Sequence, residues 1–143
     1  MDFRLDLRII ELTLQVFGLF WMVGGVVAFR QAQMSDLIDN ALEALTQNKE
    51  DRLINQFLYL GSILTFFSGL GLLVRSRWVL ISLGLLIASQ LVYFKIKHQC
   101  MSIAKTEEER LEATVNNSTF NAFIVSIIVA IAALISLKLG LLK

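Results

Sequence analysis

The chain has 143 residues, a net charge of +1 from 13 Lys and Arg against 12 Asp and Glu, and 56% hydrophobic but only 17% charged residues. An ordinary soluble domain has roughly 45–50% apolar and about 25% charged residues, so this composition indicates a membrane protein. The balanced charge argues against nucleic acid as a main partner, and one Cys with one His excludes an internal disulfide and a Cys/His zinc site.

Four apolar stretches approach or exceed the ~17–25 residues that a helix needs to cross a hydrocarbon core about 30 Å thick. They cover residues 9–29, 57–74, 78–94 and 120–142. Only Arg75-Ser76-Arg77 separates the second from the third, which predicts a tight antiparallel hairpin. We therefore expect one all-α domain over residues 1–143, an integral membrane four-helix bundle with short helical extramembrane loops.

The first span carries a polar face at its beginning. Arg8, Glu11, Gln15, Gly18 and Gly25 recur at spacings of three, four and seven, so they share one side of the helix. A carboxylate inside a span often marks an ion or proton route, which makes Glu11 a candidate proton or cation acceptor. The alternative is that Glu11 lies close to the interface, pairs with Arg8 one turn earlier and anchors the helix.

The loop after the first span contains neither glycine nor proline, which predicts a helix. Leu37, Ile38, Leu42 and Leu45 recur at helical spacing after a possible N-cap at Ser35, so we expect an amphipathic helix over about residues 35–48. Its apolar stripe would either lie on the membrane surface or cap the bundle.

Small residues recur at four- or seven-residue spacing in all four spans, where they allow close packing between helix backbones. These candidate packing positions are Gly18, Gly25, Gly61, Thr65, Gly69, Gly84, Ala88, Ala122, Ser126 and Ala130.

Gln90 lies deep in the third span and is followed by Tyr93. An amide in hydrocarbon needs hydrogen-bond partners, so we expect Gln90 and Tyr93 to face another helix or a bound ligand such as a quinone headgroup. No other cofactor and no metal is predicted. His98 and Cys100, just beyond this span, are interpreted as a solvent-facing pair.

The second long loop contains Thr106 and Glu109, which fit the T-x-x-E capping box of a helix start. We expect a helix that begins there and runs unbroken through Asn116 into the fourth span.

The orientation follows from the density of Lys and Arg in the short flanks. Arg4, Arg8, Arg75, Arg77 and Lys143 crowd one side, whereas the cations of the other side are spread over two long, acidic loops. Both termini are therefore predicted to be cytoplasmic, in a bacterial inner membrane or an organellar membrane.

Residues 61–78, GSILTFFSGLGLLVRSRW, resemble the second hairpin of DoxX-like membrane proteins, in which two apolar helices flank a short basic turn. The first span, with arginine before it and Gly24-Gly25 toward its end, is also similar, so the likeness covers about half of the chain. The resemblance implies a four-helix bundle with cytoplasmic termini and an accessory role near quinone or thiol redox chemistry. The lone Cys100 departs from a thiol-active pattern, and no functional residue is carried over from the family.

No catalytic constellation can be assembled from these residues. The first hypothesis is a non-catalytic protein that acts as a small subunit or assembly partner of a larger membrane complex, with the lipid bilayer and other membrane subunits, or a second copy, as partners. The alternatives are a small oligomeric transporter or channel that uses the polar face of the first span, and a DoxX-like accessory protein linked to quinone.

Overall fold

A computed structural model describes residues 3–46, 52–114 and 117–143 of the chain. The described residues form helices α1 (Phe3–Thr46), α2 (Arg52–Val74), α3 (Val79–Ile103), α4 (Glu107–Ala113) and α5 (Asn117–Lys138). Four of these helices, α1, α2, α3 and α5, are long and apolar enough to cross a membrane. The fold is therefore an all-α, four-helix integral membrane bundle, as the composition predicts.

Helix α1 is one continuous helix of 44 residues. The sequence analysis predicts a span over residues 9–29 and a separate loop helix over about 35–48, of which residues 47 and 48 lie outside the described ranges. The structure has no break between the two, so Ser35 is an interior residue rather than an N-cap. The physical reason is that the connecting residues 30–34, RQAQM, are all strong helix formers.

The other helices also differ from the apolar stretches at their ends. Helix α3 continues to Ile103 because Lys95 and Lys97 end the apolar run without ending the helix. Helix α4 begins at Glu107, with the Arg110 N–H donating to the Thr106 carbonyl at 3.1 Å, but it ends at Ala113 and does not run unbroken into α5. Asn116 lies outside the described residues.

The helices pack in the order α1, α2, α3, α5, each against the next. The core is built from buried aliphatic side chains contributed by all four long helices and the C-terminal segment. These are Leu14, Leu72, Val79, Leu83, Val129, Ala133 and Leu142. The core lies toward the end of the bundle that holds the α2–α3 turn.

Glycines bring α1 and α2 into backbone contact. A Cβ atom added to Gly69 would lie 2.6 Å from the Met22 backbone nitrogen and 2.8 Å from the Gly18 carbonyl oxygen. A Cβ atom at Gly25 would lie 2.7 Å from the backbone nitrogen of Phe66. Because no side chain fits in these positions, the α1–α2 pair is held by direct backbone packing of the kind that small residues permit in lipid.

Two helices end with the same C-terminal motif, in which one residue adopts a left-handed conformation. After α5 this residue is Gly140, with φ of 71°, and the Leu141 N–H donates to the Ser136 carbonyl at 2.9 Å. After α2 it is Arg75, with φ of 62°, and the Ser76 N–H donates to the Gly71 carbonyl at 2.9 Å. Glycine is the usual residue there, so Arg75 occupies an unfavourable backbone conformation.

Candidate functional site

The side chain of Arg75 joins three parts of the molecule. Its Nη1 binds the carboxylate of Glu11 on α1, and its Nε donates to the Leu141 carbonyl at 3.0 Å. Its backbone carbonyl accepts the Lys143 N–H at 2.7 Å, and the Lys143 carbonyl accepts the Arg77 N–H at 2.9 Å. The α2–α3 turn, the first span and the segment after α5 therefore meet at one arginine, which we call the Arg75 junction.

The junction gives the predicted polar face of α1 a different partner from the expected one. Glu11 pairs with Arg75 across the bundle, not with Arg8 on its own helix, and Arg8 is exposed. Gln15 lies one turn further in, with its amide 3.5 Å from the Leu73 carbonyl oxygen. With side chains 24% and 30% exposed, Arg75 and Glu11 are partly shielded from water, and their pairing gives Glu11 a structural role.

A second polar cluster lies at the opposite end of the α1–α2 pair. Asn55 is buried at the start of α2, where its amide donates to Asp39 at 2.7 Å and its carbonyl oxygen accepts from Ser35 at 3.3 Å. Both partners belong to the part of α1 beyond Arg30. These hydrogen bonds hold that part of α1 against the beginning of α2.

Gln90 lies beside a cavity of ≈ 230 Å³ between α1, α2, α3 and α5. Its Oε1 atom is buried and has no hydrogen-bond partner in the part of the chain that the structure describes. Tyr93 lines the same cavity. Its ring also packs against Phe57 in a tilted arrangement, with ring centroids 6.0 Å apart. The structure thus brings the predicted residues Gln90 and Tyr93 together, at the other end of the bundle from Glu11 and Gln15.

The polar wall of this cavity consists of uncharged groups. Besides Gln90 and Tyr93, it is lined by the polar residues Gln31, Ser62, Thr65, Ser89, Ser118 and Thr119. No charged side chain lines it among the described residues. We call it the Gln90 cavity.

The predicted packing positions separate into distinct groups. Gly18, Gly25 and Gly69 lie at the α1–α2 contact, whereas Gly61, Thr65 and Ala122 line the Gln90 cavity. Ser126 is buried and Ala130 packs against the core. Gly84 and Ala88 lie on the exposed outer face of α3, and a Cβ atom at Gly84 would meet nothing within 4 Å.

Helix α1 extends well past the membrane-spanning part of the bundle. Its 44 residues correspond to ~66 Å, against about 30 Å for the hydrocarbon core. Residues 30–46, the α1 extension, carry four charged side chains, Arg30, Asp36, Asp39 and Glu43. The extension is continuous with the span and contains no proline or glycine to bend it, and its Ser35 and Asp39 side chains join it to Asn55 at the beginning of α2.

The α1 extension exposes an apolar stripe on a different side from the one that contacts Asn55. Leu37 is 68% exposed and Leu45 is 82% exposed, and Met34 and Ile38 are also exposed. These residues share one helix face, about a quarter-turn to a third of a turn away from Ser35 and Asp39. This makes the stripe the candidate interaction surface of the α1 extension.

An apolar groove separates α1 from α5 within the membrane-spanning part. It has a volume of ≈ 450 Å³, and its walls include Ile10 and Phe17 of α1 and Ile128 and Ile135 of α5, with Leu72 among the other residues that line it. The bundle is therefore open on this side, because α1 packs on α2 and α5 packs on α3.

Some of these residues are not singled out by the sequence analysis. Arg75 is noted there only as a basic flank, although a three-residue turn without glycine is a signal that one residue must adopt the left-handed conformation. Asn55 carries no such signal, because its partners lie on another helix. His98 and Cys100 are both exposed, as a solvent-facing pair would be.

No family model, curated protein or solved structure matches this chain. The DoxX-like resemblance therefore stays a prediction, and the assignment of function depends on the geometry described above.

Proposed function

We propose that this protein is a non-catalytic integral membrane subunit, which works by holding a larger membrane protein through the α1 extension and the α1–α5 groove. The observation that carries the proposal is the apolar stripe of the α1 extension. Leu37 and Leu45 are left exposed by the described part of the chain, in a segment of α1 that follows the apolar span of residues 9–29.

The two surfaces suit a partner that is itself a membrane protein. The α1–α5 groove lies at the level of the spans, since Leu72 and Val129 line it, and it accepts an apolar helix or acyl chain. The stripe of the α1 extension begins at Met34, further along the same helix. A partner with one span and one extramembrane segment would cover both surfaces and bury their apolar area.

The chemistry of the described residues favours association over transport. A transporter built on the polar face of the first span needs Glu11 to exchange its proton or cation partner, whereas Glu11 is paired with Arg75. Gln90 lies at the opposite end of the bundle. A continuous polar path through Glu11, Gln15 and Gln90 has no support in this arrangement.

The test introduces a charge into the stripe and measures partner retention. We expect the double substitution Leu37→Asp and Leu45→Asp to remove most of the co-purifying partner after mild-detergent extraction, because burying an unpaired carboxylate in an apolar interface is costly. Asn40→Asp, which adds one carboxylate against the two of the double variant at an exposed polar position of the same extension, should leave retention unchanged.

Circular dichroism and the unfolding midpoint report whether each variant keeps its fold. Both leucines are exposed, so the fold should survive. Full retention of the partner by a folded Leu37→Asp, Leu45→Asp variant would contradict the proposal.

A further inference from the structure

The Gln90 cavity has a hydrogen-bonding pattern that selects for one kind of ligand. Ser62, Thr65 and Ser89 line it, and each donates its single hydroxyl hydrogen to a backbone carbonyl of its own helix. The distances are 2.7 Å to Tyr59, 2.7 Å to Gly61 and 2.8 Å to Leu86 respectively. Toward the cavity these three oxygens can therefore only accept hydrogen bonds.

Gln90 adds a further acceptor that is not satisfied. Its Oε1 is buried without a partner among the described residues, and an unsatisfied buried acceptor is unfavourable. A ligand that donates a hydrogen bond would recover this free energy. With no charged side chain among the described lining residues, the cavity favours a neutral donor.

The size and surroundings of the cavity limit how the ligand is held. Its ≈ 230 Å³ is below the ~300–1,000 Å³ of pockets that enclose whole drug-sized molecules, so it accommodates a headgroup better than a complete lipid. Leu58 and Ala122 line the cavity and are themselves exposed, within helices that cross the membrane. An apolar tail can therefore leave the cavity between α2 and α5 into the bilayer.

We propose that the Gln90 cavity binds the hydroxyl headgroup of a neutral membrane lipid, with the lipid hydroxyl donating to Gln90 Oε1. The inference is independent of the proposed subunit function, because the cavity touches the α1 extension at Gln31, which is not part of the exposed apolar stripe. An oxidised quinone is a poorer fit beside Ser62, Thr65 and Ser89, since its carbonyl oxygens only accept hydrogen bonds and these three hydroxyls do the same toward the cavity.

The test compares three probes that differ in the headgroup. Delipidated protein in detergent is incubated with dioctanoylglycerol, which has one free hydroxyl, with trioctanoylglycerol, in which that hydroxyl is acylated, and with the anionic dioctanoyl phosphatidic acid. Native mass spectrometry then counts bound molecules. We expect one dioctanoylglycerol per chain and at least about tenfold weaker binding of the other two, as loss of a hydrogen bond to a buried acceptor predicts.

Two variants localise the binding. Gln90→Leu should weaken dioctanoylglycerol binding about tenfold, whereas Gln99→Leu, the same change at an exposed position of α3, should not. Gly61→Leu should also block binding, since a Cβ atom at Gly61 meets nothing within 4 Å and the longer side chain would fill the cavity. Gly84→Leu is its control on the outer face of α3.

The inference is overturned by equal binding of dioctanoylglycerol and trioctanoylglycerol, which would indicate adsorption to apolar surface. It is also overturned by preference for phosphatidic acid, by absence of any bound lipid, or by unchanged binding in folded Gln90→Leu and Gly61→Leu variants. Partner retention by the α1 extension is measured separately, so failure of either proposal leaves the other testable.

Discussion

Arg75 has an unfavourable backbone conformation, and its side chain contacts Glu11 and Leu141. A left-handed conformation costs a non-glycine residue about 1–2 kcal/mol, which explains why glycine usually ends helices in this way. At Arg75 the cost is offset by the ion pair with Glu11 and the hydrogen bond to Leu141. The same residue therefore carries both the unfavourable backbone conformation and the contacts that offset it.

Substitutions at position 75 separate the two effects. Arg75→Ala should lower the free energy of unfolding by about 2–3 kcal/mol, because it loses the charged contacts and keeps the backbone cost. Arg75→Gly loses the same contacts but relieves the backbone, so it should be less destabilised by about 1 kcal/mol. Denaturant unfolding in mixed micelles, followed by tryptophan fluorescence, measures both.

Arg77→Ala is the matched control, because Arg77 is exposed and only its backbone N–H takes part in the junction. Its change in free energy of unfolding should stay within about 0.5 kcal/mol. If Arg75→Gly is as unstable as Arg75→Ala, the backbone part of the explanation is wrong.

At the scale of the helices, the α1–α2 pair depends on glycines that leave no room for a side chain. Gly69→Ala would place Cβ 2.6 Å from the Met22 backbone nitrogen, and a backbone atom within a packed helix pair cannot move cheaply. We expect a loss of about 1–3 kcal/mol in the free energy of unfolding, the usual cost of overpacking.

Gly84→Ala makes the same chemical change on the open face of α3. A Cβ atom there meets nothing within 4 Å, and alanine is the better helix former by about 1 kcal/mol. The variant should be neutral or slightly more stable in the same unfolding measurement. Equal destabilisation by the two substitutions would show that the cost does not come from the α1–α2 contact.

The helices also show what could be predicted from sequence and why. The four spans are predictable because each apolar run must match the thickness of the hydrocarbon core. The helix ends are less predictable, because Arg30 and Lys95 end apolar runs while the local helix propensity continues through them. At Gly140 the reverse holds, and the apolar run continues past the helix end.

The candidate site was predictable only in part. Gln90 and Glu11 are conspicuous as polar residues in apolar runs, so Gln90 is predicted to face the bundle or a ligand, and Glu11 either to line a polar pocket or to anchor the helix near the interface. Their partners are not predictable from one sequence, because Arg75 and the cavity wall come from other helices. The local periodicity predicts the apolar stripe of the α1 extension but not that its helix is continuous with the first span.

At the scale of the whole molecule, each of the long helices α1, α2, α3 and α5 packs against the next, and a groove remains between the first and the last. The Arg75 junction ties α1, the α2–α3 turn and the segment after α5 together at one end. At the other end, the α1 extension is joined to Asn55 of α2 and carries exposed apolar side chains on another face. The exposed apolar stripe and the open groove are the two surfaces that the proposed subunit function requires a partner to cover.

The most direct test of this account is the native mass of the unmodified protein after mild-detergent extraction, with identification of what co-migrates. The account predicts co-migration with a larger membrane protein in a fixed ratio. A monomer, or a closed assembly of copies of this chain alone, would contradict it.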